Sequence, residues 1–411
     1  MAWPSLVGLP ASTPCAVLDI PGILFFFDLG LSIYFLLFNL FLIGHGFTEK
    51  TLGFLTSAMA AGSIAGAIPA GRLARRFGLQ KALLTFFICG TVIFAARSLT
   101  LSYTSQMVLA FLSGMALSTF GVCLSPTVAQ LTSERTRPFA FSLVCSVGIL
   151  IPALGGLAGG ILPGWLEKSS LPIHSLEPIQ LVLLASCGIL AIGIWPVLNL
   201  KIGRAPSLPK TRRTFNPFLL RFLLAVALWS LVDDSFSPFA NIYFARYLHM
   251  SLPQIGLTFS LSYFAQVLTV LAAPLVFRKF GLVAGIAYLQ IAASIALGSL
   301  AMAHGIATGG FIYVAYTALQ CSDPGMYSLL MNRVAPEERD SASALNSLVM
   351  ACSQAIAATF AGVSIARFGY PFLLWGTSGV SLVAAGVFWG LLRSPRSVIA
   401  IEDEALAAAC K

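Results

Sequence analysis

The stretch GRLARRFGLQKAL, from Gly71 to Leu83, is a short basic break between two long apolar runs. Its core, RRFG at Arg75–Gly78, returns as RKFG at Arg278–Gly281, 203 residues further on and again between apolar runs. Working outward from that pair, Gly53 returns as Gly256 at the same offset. SER ending at Arg135 is matched by PEER ending at Arg339, and FNLF around Asn39 by ANIY around Asn241, at offsets of 204 and 202. Four matches within two residues of one offset mark an internal repeat, so the chain reads as two equivalent halves.

Composition says which solvent those halves meet. Of the 411 residues, 58% are hydrophobic and only 9% are charged, too few charges to cover a water-facing surface. Apolar runs of about 20 residues, the length that crosses a hydrocarbon core, recur from end to end. They carry Gly and Pro, which membrane helices tolerate, and they lack the short alternating segments of a β-barrel. Helices are predicted over 21–44, 51–74, 79–99, 103–131, 138–165 and 176–200, then over 216–246, 252–278, 282–303, 307–334, 340–367 and 370–393. The expected fold is an all-α membrane protein of twelve transmembrane helices in two pseudo-symmetric six-helix halves. Residues 1–200 and 217–395 form the halves, 201–216 a basic, Pro-containing linker, and 396–411 a tail.

Lys and Arg set the orientation. Of the 24, only Lys50, Arg97, Lys168, Arg246 and Arg367 follow odd-numbered helices. The rest fall in loops after even-numbered helices, around the linker and in the tail, which places that side and both termini in the cytoplasm. A multi-pass protein of a bacterial-type inner membrane is expected, with the lipid bilayer as its partner. The net charge of +9 is then a topology signal, and no nucleic acid partner is expected. The eight cysteines form no CxxC pair, and His45, His174, His249 and His304 are scattered without metal-ligand spacing. No nucleophile–base pair or phosphate loop is evident, so neither an enzyme nor a metal or organic cofactor is expected.

Parallel repeats of six helices about an axis along the membrane normal are one transporter build. The Gly71–Leu83 loop resembles the signature loop of the major facilitator superfamily, whose usual form is G-x-L-A-D-R-x-G-R-K. Gly71, Leu73, Ala74, Arg76, Gly78 and Lys81 fit that form, whereas Arg75 stands where the family has an acid. Helix 4 has Ala110 four residues before Gly114, where the family often has Arg. In the family that acid and that Arg join a charge network tied to gating and proton coupling, so that network is not carried over. GILIPALGGLAGG, Gly148–Gly160, is only loosely similar to an efflux-type glycine motif and lacks its Gly-Pro pair. The resemblance implies alternating access, a central cavity lined by helices 1, 4, 7 and 10, and a monomer. It assigns gating to Gly71, Arg75, Arg76, Gly78 and Lys81 and, through the repeat, to Arg278, Lys279 and Gly281. Taken alone, the same loop residues read as positive anchors of topology.

Ionisable groups inside a membrane face a cavity, have a partner or mark a pathway. Asp28, Asp233, Asp234 and Asp323 lie inside predicted helices, and no Lys or Arg is expected at comparable depth. Spacings of 4, 3 and 4 place Asp28, Ser32, Phe35 and Asn39 on one face of helix 1. The same spacing aligns Ser230, Asp234, Ser237 and Asn241 on helix 7, and Tyr316, Gln320, Asp323 and Tyr327 on helix 10. At 1.5 Å per residue Asp234 sits roughly 18 Å into helix 7, near the midplane, while Asp233 points about 100° away toward a neighbouring helix. The candidate substrate and proton site is therefore Asp234, Asp28, Asp323, Asn39, Asn241, Gln320, Ser32 and Ser237. Other roles stand beside these: Asp323, ahead of Pro324 and Gly325, can satisfy amides at a helix break, and Asn39 and Asn241 can tie helices together.

Desolvation disfavours a carboxylate's charge, so an unpaired carboxyl in such a cavity can serve as a proton carrier. Proton-coupled export of cationic or neutral lipophilic small molecules is the leading expectation, because a cavity without bases disfavours anions. Uptake of a neutral metabolite, coupled or facilitated, is the second. A receptor or scaffold with a transporter fold is the alternative of another class.

Overall fold

A computed structural model of the chain describes residues 14–132, 137–169, 176–200, 202–203, 217–320, 322–335 and 338–393. The first half is α1 (Pro14–Gly44), α2 (Glu49–Phe77), α3 (Leu79–Leu99), α4 (Tyr103–Leu131), α5 (Arg137–Lys168) and α6 (Pro178–Ile192, continuing in Ile194–Asn199). The second half opens with α7, Pro217–Phe236, which runs on through a 3-10 turn at Ser237–Phe239 and a π turn at Tyr243–Tyr247. There follow α8 (Leu252–Phe280), α9 (Leu282–Leu300) and α10, the last in two pieces, Ile306–Leu319 and Asp323–Arg333. Helices α11 and α12 together occupy Arg339–Leu392 and are divided at Gly369, whose φ of 79° no helix allows. The twelve predicted spans are thus the twelve found, with ends shifted by a few residues, most at α1. Linker residues 204–216, the tail from 394, Arg135 and His174 lie outside the described residues.

Prolines account for the irregular helices. Pro238 has no N–H to give and its ring crowds the preceding turn, so α7 tightens into a 3-10 turn there. Pro324 likewise separates the two pieces of α10. The repeat is also visible in the turns: Gly78 (φ 99°) and Gly281 (φ 81°) hold equivalent left-handed positions between α2 and α3 and between α8 and α9.

The halves meet at the end away from the α2–α3 loop, through contacts that repeat the internal symmetry. Asn39 Nδ2 donates to Pro238 O at 2.8 Å, and Asn241 Nδ2 donates to Leu36 O at 2.8 Å. Ser57 Oγ donates to Ala355 O, and its equivalent Ser260 Oγ donates to Ala153 O, both at 2.5 Å. Helices α2 and α11 cross at Gly53 and Gly362, and α8 and α5 cross at Gly256 and Gly160. A Cβ on Gly362 would lie 3.0 Å from Gly53 Cα, and one on Gly160 would lie 3.0 Å from Gly256 Cα. Only glycine lets these backbones approach so closely. An ion pair, Arg246 Nη1 to Glu49 Oε1 at 3.0 Å, completes this end.

Candidate functional site

Behind that closure lies a cavity of about 440 Å³, a size suited to a small solute. Helix α1 supplies one wall with Phe27, Asp28, Ser32, Phe35, Phe38 and Asn39. Helix α7 supplies Asp234, Ser237 and Asn241 opposite, and α8 adds Phe259 and Tyr263. Arg97 from α3, Pro152 from α5 and Gln354 from α11 complete the lining used below. The site is therefore an aromatic chamber that carries two acids and one base.

The whole predicted stripe of helix 1 faces this chamber. On α7 the stripe holds for Asp234, Ser237 and Asn241, while Ser230 is buried outside the lining. Asp234 Oδ1 accepts from Gln354 Nε2 at 3.2 Å. Asp28 Oδ2 is buried without a donor among the described residues, an arrangement that costs about 1–3 kcal/mol or more unless water, a proton or a solute satisfies it. Asn39 and Asn241 line the chamber but spend their amides on the opposite half's backbone, so tying helices is what they are seen to do.

Helix 10 departs from the expectation. The break ahead of Pro324 ends the helical register between Leu319 and Asp323, so spacing no longer keeps the four residues on one face. Tyr316 is buried, Tyr327 is exposed, and Gln320 donates to Asp233 and to Tyr316 Oη instead of facing the chamber. Asp323 opens the second piece of α10 and is exposed, within electrostatic reach of Asp233 and Asp234. Neither Asp323 nor Gln320 lines the cavity. Asp233 does turn toward a neighbouring helix, as its 100° offset from Asp234 requires. Nor do α4 and α10 line the chamber; α2, α3, α5, α8 and α11 take that share.

Arg97, grouped with the loops by sequence, is only 4% exposed and lines the cavity. Its place two residues inside the end of an apolar run is the available signal, because a long side chain there can turn inward as readily as toward the interface. Nε donates to Gln106 Oε1 and Nη1 to Ser113 Oγ, both at 3.3 Å, and the guanidinium sits 4.4 Å over the Phe38 ring. Gln106 and Ser113 are seven residues apart, on one face of α4. Gln354, Tyr263 and the phenylalanines also escape a reading by charge, since each resembles ordinary helix packing in sequence.

At the loop end, Arg76 lies over Phe77, Lys279 lies over Phe280, and Leu79 N donates to Gly203 O. Arg76, Lys81, Arg278, Lys279 and Gly281 are exposed, while Gly71 and Arg75 are half-buried, with Arg75 Nη1 beside Gly71. These contacts stay within one half or join the first half to the start of the linker.

The sequence profile of the Major Facilitator Superfamily matches residues 22–319 and 218–408. A 4-hydroxybenzoate transporter, PcaK, of Pseudomonas putida is 25% identical over 177 residues, which cover 42% of this chain and 38% of that protein. Among solved structures, a bacterial homologue of the human lysosomal transporter Spinster superposes with a TM-score of 0.75 at 14% identity, covering 94% of this chain and 98% of that one. The nucleoside transporter NupG superposes with a TM-score of 0.74 at 12% identity, covering 92% and 100%. A D-xylose–proton symporter does so with 0.72 at 14% identity, covering 91% and 96%.

Proposed function

This chain belongs to the major facilitator superfamily, a transporter rather than an enzyme, and on that premise we propose that it carries a small aromatic solute in exchange with, or together with, protons. The observation that carries the reading is the chamber between the halves, closed at one end by reciprocal contacts and lined by two acids from equivalent helices. Rocking of the halves about this chamber opens it alternately to the two sides. With the basic loops in the cytoplasm, the closed end faces outward and the chain is inward-facing. The Spinster homologue that it resembles is likewise inward-facing.

Asp28 and Asp234 are the groups assigned to hold and release the coupling proton, Asp28 because its buried oxygen lacks a donor among the described residues and Asp234 because its hydrogen-bond partner there is a neutral amide. Phe27, Phe35, Phe38 and Phe259 favour an aromatic cargo, as does the partial match to a 4-hydroxybenzoate transporter. The expectation of cationic cargo rests on a chamber free of bases, and Arg97 removes that premise. The basic loop residues are assigned to the gate of the opposite, cytoplasmic end.

The test is Asp234→Asn in proteoliposomes with benzoate as labelled probe. Accumulation driven by a pH gradient should fall at least tenfold, while gradient-free counterflow, which needs no net proton movement, should survive. Full retention of pH-driven accumulation would remove Asp234 from the coupling role.

A further inference from the structure

Among the described residues, Arg97 is a buried cation with no anion paired to it. Its two hydrogen-bond acceptors, Gln106 Oε1 and Ser113 Oγ, are neutral, and its other neighbours include the face of Phe38 and the Tyr34 phenol, which donates to Phe94 O. Burying a charge in this way is heavily penalised unless a counter-charge is supplied. The chamber holds carboxylates, yet neither Asp28 nor Asp234 pairs with it. Asp28 lies ten residues before Phe38, roughly 15 Å lower along α1 at 1.5 Å per residue.

The surroundings hold the guanidinium ready rather than neutralise it. The Gln106 amide nitrogen donates to Arg97 O at 2.6 Å and to Thr100 O at 2.5 Å, which fixes its oxygen toward the guanidinium. Ser113 Oγ donates to Ala110 O at 2.7 Å, which turns a lone pair the same way. These bonds use Nε and Nη1 and leave Nη2 without an acceptor among the described residues. A guanidinium presents its donors as a planar fork that matches a carboxylate.

Resting on the carrier reading above, we infer that Arg97 is the anchor for the carboxylate of an aromatic monocarboxylate solute, with Phe35 and Phe38 against its ring. One base in an aromatic chamber suits a single negative charge; a dianion would leave a charge uncompensated. The end of the solute farther from Arg97 points toward Asp28 and Asp234, where a neutral or hydrogen-bonding group fits and a second carboxylate is repelled. Arg97 thus sets charge selectivity, and the acids remain free to carry protons.

Three near-isosteric probes separate this from its rivals: benzoate, benzamide and benzylamine, each tested by thermal shift on the purified full chain in detergent. Benzoate should raise the melting temperature, with an apparent affinity at least tenfold above benzamide and benzylamine. Arg97→Gln should abolish that preference while melting, without probe, at or above wild type, since it removes an unpaired buried charge. If Arg97→Gln does not fold, Arg97→Lys decides: a point charge without the fork should weaken benzoate severalfold and leave benzamide unchanged. Equal stabilisation by benzamide or benzylamine, benzoate binding that survives both substitutions, or no shift with benzoate would each overturn the inference. The carrier reading fails separately, if none of the three probes shows counterflow in proteoliposomes of the wild type.

Discussion

Leu36, Asn39, Gly53 and Ser57 of the first half occupy the places that Pro238, Asn241, Gly256 and Ser260 occupy in the second, and each set closes on the other half in the same way. The charged residues do not repeat. Asp28 corresponds to Ser230 and Asp234 to Ser32, so acid and serine stand in opposite order on the two helices. Arg97 corresponds to Leu300, which is fully buried. The contacts that join the halves are duplicated, whereas Asp28, Asp234 and Arg97, the groups proposed to meet solute and proton, have no charged counterpart at the equivalent position of the other half. That division predicts which paired substitutions should behave alike.

The largest effect should come from the helix crossings. In Gly256→Val the new Cβ would meet Gly156 O and lie 2.8 Å from Gly160 Cα; in Gly53→Val it would lie 2.5 Å from Ala358 O and 3.1 Å from Gly362 Cα. Backbone cannot yield as a side chain can, and overpacking of this kind costs about 1–3 kcal/mol or more. The closure seen here should lose about fivefold to more than a hundredfold in population, since about 1.4 kcal/mol is a factor of ten. Counterflow should fall accordingly in both variants, to levels within about threefold of each other. A severe defect in one and wild-type flux in the other would break the duplicated-frame account.

This frame is the part most open to reading from sequence. A repeat offset near 203 residues and apolar runs of membrane length are consequences of the fold's own symmetry, and they place twelve helices and the pairs Gly53–Gly256 and Asn39–Asn241. The chemistry was harder to read because it breaks that symmetry. Charge counting assigns Arg97 to a loop, since the positive-inside rule weighs residues near helix ends alike and cannot see which way a side chain turns. The stripe on helix 10 fails for another reason: spacing presumes an unbroken helix, and Pro324 breaks it between Gln320 and Asp323. Asp28, Asp234 and Ser32 are found because their helices keep register where those residues sit.

An intermediate effect is expected from the paired asparagines. Asn39→Ala removes the 2.8 Å bond to Pro238 O, and Asn241→Ala removes the 2.8 Å bond to Leu36 O, a longer one to Phe35 O and the acceptor of Ile242 N. The loss is about 1–2 kcal/mol, or a five- to thirtyfold shift away from the closed end. It can be followed by labelling of a cysteine placed at Leu42, which lines the cavity beside the closure, with an impermeant maleimide added from that side. The two variants should match, and the double variant should depart from additivity, since both bonds lie at one contact between α1 and α7 and are coupled through it. Strictly additive effects would mean that the two bonds open independently.

The smallest effect belongs to the feature of the closed end that the repeat does not share. Glu49 and Arg246 pair at 3.0 Å, whereas their equivalents are Leu252 and Gly44. The Arg246 side chain is 49% exposed and that of Glu49 is 13% exposed. A pair open to solvent on one side contributes about 0–1 kcal/mol, so either substitution should change maleimide labelling less than about fivefold. The order of the two carries the information. Arg246→Gln leaves a mostly enclosed carboxylate without its cation, while Glu49→Gln leaves a solvated guanidinium, so Arg246→Gln should be the more harmful. Raising salt to about 1 M, where the screening length is about 3 Å, should bring wild type close to Glu49→Gln. An effect as large as that of the asparagines, unchanged by salt, would show that the ion pair is part of the frame rather than an addition made by one half.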